Sequence, residues 1–169
     1  MAKNMSNVKT IENLFVEELK DIYSAETQIT KTLPKLVKAA STPDLKSAFE
    51  HHLKETEGHV ERLDKVFKIL GMSPKGKTCD GMKGILAEGA EVLRETQAGD
   101  IRDAALISAA QRVEHYEMAA YGSVRSYAEN LSQQEIAGLL EETLEEEKAA
   151  DKKLTEISHN VNSRALRAA

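Results

Sequence analysis

Cysteine, proline, glycine and aromatic residues are all scarce in this sequence. The 169 residues include one cysteine, three prolines, nine glycines and no tryptophan. With a single cysteine, Cys79, no intramolecular disulfide can form, which favours a reducing compartment and predicts a cytoplasmic protein. Cys79 has no partner in a CxxC motif, so we interpret it as a packing residue at a helix start rather than a reactive thiol.

Long apolar segments are also absent. Residues 1–7 contain no apolar stretch of the kind found in signal peptides, and no uninterrupted apolar run approaches the length of a membrane span. The net charge of −5 argues against a general nucleic-acid binder. We therefore expect neither a membrane nor a nucleic acid among the partners of the protein.

The residues that do recur favour a helical globular protein. Hydrophobic residues make up 41% of the chain and charged residues 30%, which is typical of folded rather than disordered chains. Alanine, glutamate, leucine and lysine, all good helix formers, appear throughout. A chain of this length is most simply one domain. We expect that single domain to span residues 1–169, with flexible tails at about 1–8 and 162–169.

Apolar residues at three- and four-residue spacings predict five helices, the first two of which form a hairpin. Thr10 can cap the first helix, which should end near Ala40 and bend at Pro34. Residues 41–44 (STPD) are typical of a helix start, and the second helix should end at Gly71.

The remaining three helices are predicted from about residue 79 onward. A third helix is expected at about 79–97, after a loop rich in glycine, proline and lysine. Its glycines lower its helix propensity and can permit the close approach of another helix. They are Gly81, Gly84 and Gly89. Asp100 is expected to cap the fourth helix, with Asp103 at the capping-box position, and residues 132–135 (SQQE) form a capping box for the fifth.

Two pairs of glutamates indicate an internal repeat. Glu26 and Glu55 lie 29 residues apart, as do Glu117 and Glu146, and a shift of 91 positions superimposes the two pairs. The same shift aligns apolar stripes and helix starts without a gap. Two helical hairpins of one design are therefore predicted, joined by a long crossover that carries the third helix. This connectivity is that of ferritin-like four-helix bundles, so the predicted fold class is all-α.

Carboxylates that converge in a bundle core need compensating charge, because they repel one another and lose hydration. Few basic side chains fall on the predicted inner faces, so divalent metal is the favoured counterion. Carboxylate oxygen with some imidazole suits two iron or manganese ions, with zinc or no metal as alternatives. The candidate ligands are Glu26, Glu55, His59, Glu114, Glu117, Glu146 and Glu147.

The predicted site is asymmetric. His59 follows Glu55 by four residues, one helical turn, whereas the usual spacing in di-iron bundles is three. Under the 91-residue shift His59 corresponds to Ala150, which cannot bind metal. Glu147 and Asp151 are candidates to compensate for the missing second histidine.

Each candidate also has a simpler interpretation. A glutamate on a helix is usually solvated, and the acidic run at 141–147 could be a solvated face, so the choice between Glu146 and Glu147 stays open. His59 is equally well explained as a partly buried histidine. His52 and Tyr23 are expected beside the ligands rather than among them.

Five short segments resemble the YciF-type bacterial stress proteins. They are residues 21–26 (DIYSAE), 52–56 (HLKET), 102–107 (RDAALI), 113–117 (VEHYE) and 142–148 (ETLEEEK). The resemblance extends over nearly the whole chain, from about residue 8 to 160. It implies a ferritin-like, rubrerythrin-related fold, a cytoplasmic homodimer associated with stress responses, and a metal site at Glu26, Glu55, Glu117 and neighbouring residues. It does not supply a reaction.

The sequence leaves three functions to be weighed. The first is a ferritin-like stress protein whose carboxylate-rich di-metal site handles peroxide or oxygen as an oxidoreductase. The second is an iron-binding or storage module without turnover. The third is a stress or interaction protein that keeps the bundle without metal, which the missing second histidine favours.

Overall fold

Five α-helices make up residues 8–167, the part of the chain that this computed structural model describes. They are α1 (Ile11–Ala39), α2 (Pro43–Ile69), α3 (Asp80–Glu95), α4 (Asp100–Asn130) and α5 (Gln134–Arg167). No strand occurs within those residues, so the predicted all-α class is confirmed. Pro34 lies inside α1, and the helix continues past it to Ala39.

The four long helices form two antiparallel hairpins that pack into one bundle. Three residues, 40–42, join α1 to α2, and three residues, 131–133, join α4 to α5. Such short loops force each pair of helices to lie side by side. Further contacts of α2 with α5 and of α1 with α4 close the bundle, while α3 packs against α4 and α1. This is the predicted arrangement of two hairpins and a crossover helix.

The start of α4 differs from the predicted one. Gly99, with a φ of 135°, is the N-cap residue, and Asp100 is the first residue of the helix. Asp103 does not complete a capping box; its carboxylate is fully buried and accepts 2.8 Å hydrogen bonds from the backbone N–H groups of Ser41 and Thr42. A carboxylate of the second hairpin therefore fixes the two loop residues that precede α2, a long-range contact that sequence periodicity cannot show.

The turn between α4 and α5 also differs from its prediction. Ser132 adopts a φ of 57° and its N–H bonds to the carbonyl of Glu129, while the N–H of Gln133 bonds to that of Ala128. This pattern ends α4, so Ser132 is the residue after the helix and not the N-cap of α5. Gly71 ends α2 with the same left-handed conformation, φ 65°, as predicted.

A glycine allows the crossover helix α3 to pack closely against α4. A Cβ added to Gly81 would lie 3.0 Å from the Cε2 atom of Tyr116 on α4, so a side chain there would displace the ring. Gly84 meets nothing within 4 Å, so only one of these two glycines permits close approach. Cys79 is buried at the start of α3, where its Sγ atom accepts a hydrogen bond from the Met82 N–H, as expected of a packing residue.

A layer of polar side chains divides the hydrophobic core into two parts. One part, next to the α1–α2 loop, contains Leu33, Phe49 and Leu106; the other, next to the α4–α5 turn, contains Phe15, Tyr121 and Leu140. On each long helix the apolar stripe is interrupted at mid-length by buried polar residues. The repeat predicted from sequence thus places the same interruption at the same height in both hairpins.

The C-terminal segment is helical rather than a flexible tail. α5 continues to Arg167, with Val161 and Ala165 buried against the bundle, and the Arg164 guanidinium lies 2.9 Å from Asp100. Residues 1–7 and 168–169 of the predicted tails lie outside the described residues. Among the five helices described, none combines the length and the apolar composition needed to cross a membrane.

Candidate metal centre

The polar layer brings together six side chains from all four helices of the bundle. Each is at most 6% exposed. They are Glu26 of α1, His52 and His59 of α2, Glu114 and Glu117 of α4, and Glu147 of α5. The helical spacing accounts for this convergence, because residues three, four or seven positions apart share one helix face. The layer contains four carboxylates and two imidazoles but no lysine or arginine.

One group of potential ligands is formed by Glu26, His59 and Glu147. The His59 Nδ1 atom lies 2.9 Å from Glu147 Oε1 and 3.4 Å from Glu26 Oε1. One oxygen or nitrogen atom from each of the three residues falls within 4.8 Å of the other two. Three such donors surrounding one point are a suitable partial ligand set for a divalent cation.

A second group is formed by His52, Glu114, Glu117 and Glu147. Their donor atoms also lie within 4.8 Å of one another, and the His52 Nε2 atom is 3.4 Å from Glu114 Oε1. Glu147 belongs to both groups. A carboxylate has two oxygens, so a residue shared in this way is suited to bridging two metals.

Many polar atoms of the layer have no hydrogen-bond partner among the described residues. Both carboxylate oxygens of Glu117, one of Glu26 and one of Glu114, and both ring nitrogens of His52 are buried and unpaired, and Glu147 has an ion-pair contact with His59 but no hydrogen bond of good geometry. Leaving a buried polar group unpaired costs about 1–3 kcal/mol, and more if it is charged. Carboxylate oxygens and imidazole nitrogens that converge in this way fit the coordination of divalent cations.

Without metal, the layer balances its charge with protons. Burial, reinforced by the charge of Glu147, raises the pKa values of Glu114 and Glu117 well above the ordinary value for glutamate. Burial alone would lower the pKa of His59, but its contacts with Glu147 and Glu26 raise it to about 10. Burial also opposes ionisation of Glu147, yet His59 holds its pKa below the ordinary value. A metal bound here would displace protons from these groups.

Two further side chains connect the layer to its surroundings. The Tyr121 hydroxyl, fully buried, donates a 2.5 Å hydrogen bond to Glu26 Oε1. On the other side, the His59 Nε2 atom is 2.9 Å from Glu146 Oε2, which also pairs with the Arg62 guanidinium at 2.9 Å. Glu26 and His59 are therefore each oriented by a partner outside the layer.

Five of the seven predicted ligands lie in the layer, and two lie at its edge. Glu55 and Glu146, the pair related by the repeat, are partly exposed: Glu55 lies 3.1 Å from His51, and Glu146 pairs with His59 and Arg62. Glu147, whose counterpart under the repeat is Thr56, is the member of the acidic run that faces inward. Asp151 belongs to neither ligand group and contacts Gln111 and His115.

His52 is the layer residue that was predicted to lie beside the ligands and is found among them. It precedes His59 by seven residues, or two helical turns, so both imidazoles fall on the same face of α2. The seven-residue spacing could have identified His52 as a ligand. The repeat argued against that assignment, because the counterpart of His52 is Thr143, which has no imidazole.

Comparison with known proteins agrees with the fold. Residues 10–166 match the family model described as "Domain of unknown function (DUF892)". The chain is 48% identical to Protein YciF of Escherichia coli K12 over 161 residues, covering 94% of this chain and 97% of that protein. The crystal structure of the E. coli stress protein YciF superimposes with a TM-score of 0.89 at 47% identity, covering 92% of this chain and 99% of that one.

Two more distant structures share the fold alone. A ferritin-like, diiron-carboxylate protein of Bacillus anthracis matches with a TM-score of 0.68 at 20% identity, over 89% of this chain and 99% of that one. A dodecameric thioferritin of Bacteroides fragilis matches with a TM-score of 0.72 at 12% identity, over 98% of this chain and 95% of that one. The ferritin-like architecture is thus confirmed, and the chain belongs to the DUF892 family of YciF-like stress proteins.

Proposed function

We propose that the polar layer binds two divalent metal ions, iron or manganese, and uses them to reduce peroxide or oxygen. The observation that carries this proposal is the set of buried, unpaired carboxylate oxygens that form two ligand groups sharing Glu147. The structural likeness to a diiron-carboxylate protein is consistent with it but shows only the fold.

The side chains of the layer have distinct parts in this proposal. Glu26 and His59 would hold one ion and His52, Glu114 and Glu117 the other, with Glu147 common to both. Redox-active ions held there supply the electrons that reduce the oxidant. The hydrogen bond from Tyr121 fixes the orientation of Glu26. The contact of His59 with the partly exposed Glu146 offers protons a route towards the edge of the bundle, and the Arg62 guanidinium orients Glu146.

A second function, a stress protein that keeps the bundle without metal, is favoured by one observation. The raised pKa values of Glu114 and Glu117 let the layer hold protons in place of cations. The two functions predict different changes in stability when a buried carboxylate is removed. If no metal is bound, removal of a buried carboxylate should leave stability unchanged or increase it; if metal is bound, removal should abolish a metal-dependent rise in Tm.

The test is metal analysis of protein purified without chelator, followed by addition of manganese or iron(II) to the Glu117→Gln variant. Glu50→Gln, an exposed glutamate on α2, is the matched control. We expect wild type and the control to contain metal, to gain Tm when metal is added and to consume peroxide, and Glu117→Gln to lose all three properties. Wild-type protein that cannot be loaded would overturn the di-metal proposal, and loaded protein without peroxide turnover would favour the storage function.

We also propose that the protein is a cytoplasmic homodimer. The proposal rests on the single cysteine and on the family resemblance, and relatives with this fold form oligomers, as the dodecameric thioferritin does. Light scattering coupled to size exclusion tests the dimer, and a monomer at micromolar concentration would contradict it.

A further inference from the structure

An open groove runs along the seam between α2 and α5 and reaches the polar layer. Its volume is about 550 Å³. Small residues on both helices, including Ser47, Ala48, Ala149 and Ala150, leave this space. The groove ends at His52 and Glu114, two members of the layer that line it. It therefore leads from the protein surface to the second ligand group.

The groove is much larger than peroxide or oxygen requires. Those molecules are comparable in size to one or two waters, each of which occupies about 30 Å³. Sites for small organic molecules typically measure roughly 300–1,000 Å³ and combine apolar walls with a few polar groups. This groove has both: Phe49, Leu154 and Ile157 supply apolar surface, and charged residues stand around it.

The space for a small oxidant lies on the other side of α2. A cavity of about 20 Å³, lined mainly by apolar residues such as Ile29, Leu33 and Val113, has room for about one water-sized molecule. Phe49, His52 and Glu114 border this cavity as well as the groove. The small cavity, which could hold an oxidant, and the larger groove, which could hold an organic molecule, are therefore bordered by the same three side chains.

The charges of the groove select its occupant. Asp44, Glu55 and Glu156 contribute carboxylates, whereas Lys153 is the one lysine or arginine among its lining residues, and His51 lies 3.1 Å from Glu55. The net formal charge is negative, so a cationic molecule is attracted and an anionic one repelled. His52 has two ring nitrogens without a hydrogen bond among the described residues, so it can bind the second ion through one and offer the other at the inner end of the groove.

We propose that this groove binds a small aromatic electron donor that carries a positive charge, a phenolic amine by class. The inference rests on the proposed peroxide-reducing function and names its second substrate. Two phenol molecules would each lose one electron and one proton, and hydrogen peroxide would take up both electrons and both protons to give two waters. The apolar wall holds the ring, the carboxylates of the rim hold the ammonium group, and His52 faces the phenol.

The probe pair is tyramine and 4-hydroxyphenylacetate, which have the same phenol ring and similar length but opposite charge. Binding to wild-type protein, with and without manganese, is measured by ligand-observed NMR and titration calorimetry at low ionic strength. We expect tyramine to bind at least tenfold more tightly than 4-hydroxyphenylacetate. Equal affinity for the two probes, or a preference for the anion, would overturn the assignment.

Two variants locate the binding. Ala150→Phe fills the groove without altering a polar residue, and Ala119→Phe places the same side chain on an exposed position of α4. Ala150→Phe should weaken tyramine binding at least tenfold, and Ala119→Phe should leave it unchanged. An equal effect of both variants, or of neither, contradicts the groove as the site.

Glu156→Lys keeps the test decisive if Ala150→Phe does not fold. Glu156 is exposed on α5, so its replacement changes the charge of the rim and not the core. The variant should reduce the preference for tyramine over 4-hydroxyphenylacetate at least threefold, and an unchanged preference would contradict the proposal. Binding of the two probes is measured without turnover, so it tests the groove alone. Metal content and peroxide consumption test the proposed peroxide reduction separately, so failure of one proposal can be told from failure of the other.

Discussion

The hydroxyl of Tyr121 on α4 donates a 2.5 Å hydrogen bond to Glu26 Oε1 on α1, and both residues are fully buried. The bond joins the two hairpins at the height of the polar layer. It also orients the carboxylate so that its other oxygen, which has no partner among the described residues, is available to a cation.

Replacement of Tyr121 by phenylalanine should therefore destabilise the metal-free protein. A buried carboxylate oxygen would lose its donor, at a cost of about 1–3 kcal/mol. For a chain of this size that corresponds to roughly 2–4 °C of Tm per kcal/mol. Thermal unfolding in the presence of chelator measures the effect. Tyr127→Phe, at a partly buried hydroxyl with no hydrogen bond among the described residues, is the control and should change Tm little.

The stability of the metal-free protein should fall as the pH rises from about 6.5 towards 10. Contacts with Glu147 and Glu26 raise the pKa of His59 to about 10, so its contribution is complete below pH 6.5 and is lost as the pH approaches 10. The raised pKa values of Glu114 and Glu117 act in the same direction, because the folded state retains protons that the unfolded state releases.

Urea denaturation in chelator, repeated across that pH range, measures this dependence. His59→Gln should flatten the decline, and His159→Gln, at an exposed position near the end of α5, should not. A wild-type stability that increases over the same range would show that His59 is not held protonated by its carboxylates.

Manganese binding should release protons and become tighter as the pH rises from 6 to 8. Glu114, Glu117 and His59 hold protons in the metal-free layer, and each must lose its proton to act as a ligand. Titration calorimetry in two buffers of different ionisation enthalpy gives the number of protons released. Affinity and heat that are independent of pH and buffer would indicate that the metal binds elsewhere, for example at the exposed acidic run of α5.

Asp103→Ala should be among the most damaging substitutions outside the polar layer. The buried carboxylate accepts hydrogen bonds from two backbone N–H groups of the loop that precedes α2. Hydrogen bonds to charged groups each contribute about 1.5–3 kcal/mol, so we expect a loss of at least about 2 kcal/mol. Denaturant unfolding measures it. Asp103→Asn, which keeps one acceptor oxygen, should lose less, and Asp80→Ala, at the exposed first residue of α3, should lose little.

The repeat made the height and the helices of the site predictable from sequence. Glu26 and Glu117 occupy equivalent positions and both lie in the layer. The same repeat was misleading for the second glutamate of each hairpin. It aligned Glu55 with Glu146, whereas the inward residue of α5 is Glu147. Adjacent residues on a helix are separated by about 100° of rotation. A shift of one position therefore moves a side chain from the centre of the polar layer to its edge.

Other features depend on packing between the hairpins, and no periodicity within one helix reports them. Asp103 fits a local capping box as well as a contact with the distant α1–α2 loop, and only the packing of the two hairpins decides between them. Ser132 has the backbone conformation usual for glycine, so its residue type suggested a helix start where the structure has a helix end. The groove between α2 and α5 likewise requires both surfaces to be known.

The contact of Asp103 with the α1–α2 loop has a consequence for how the molecule is assembled. The loop that joins α1 to α2 is held by a side chain that is translated later, in the other half of the chain, so the first hairpin is incomplete until the second has docked. The two halves should therefore fold as one cooperative unit. If the chain is cleaved in the exposed loop near Lys75, we expect the fragments to remain associated and neither to fold alone.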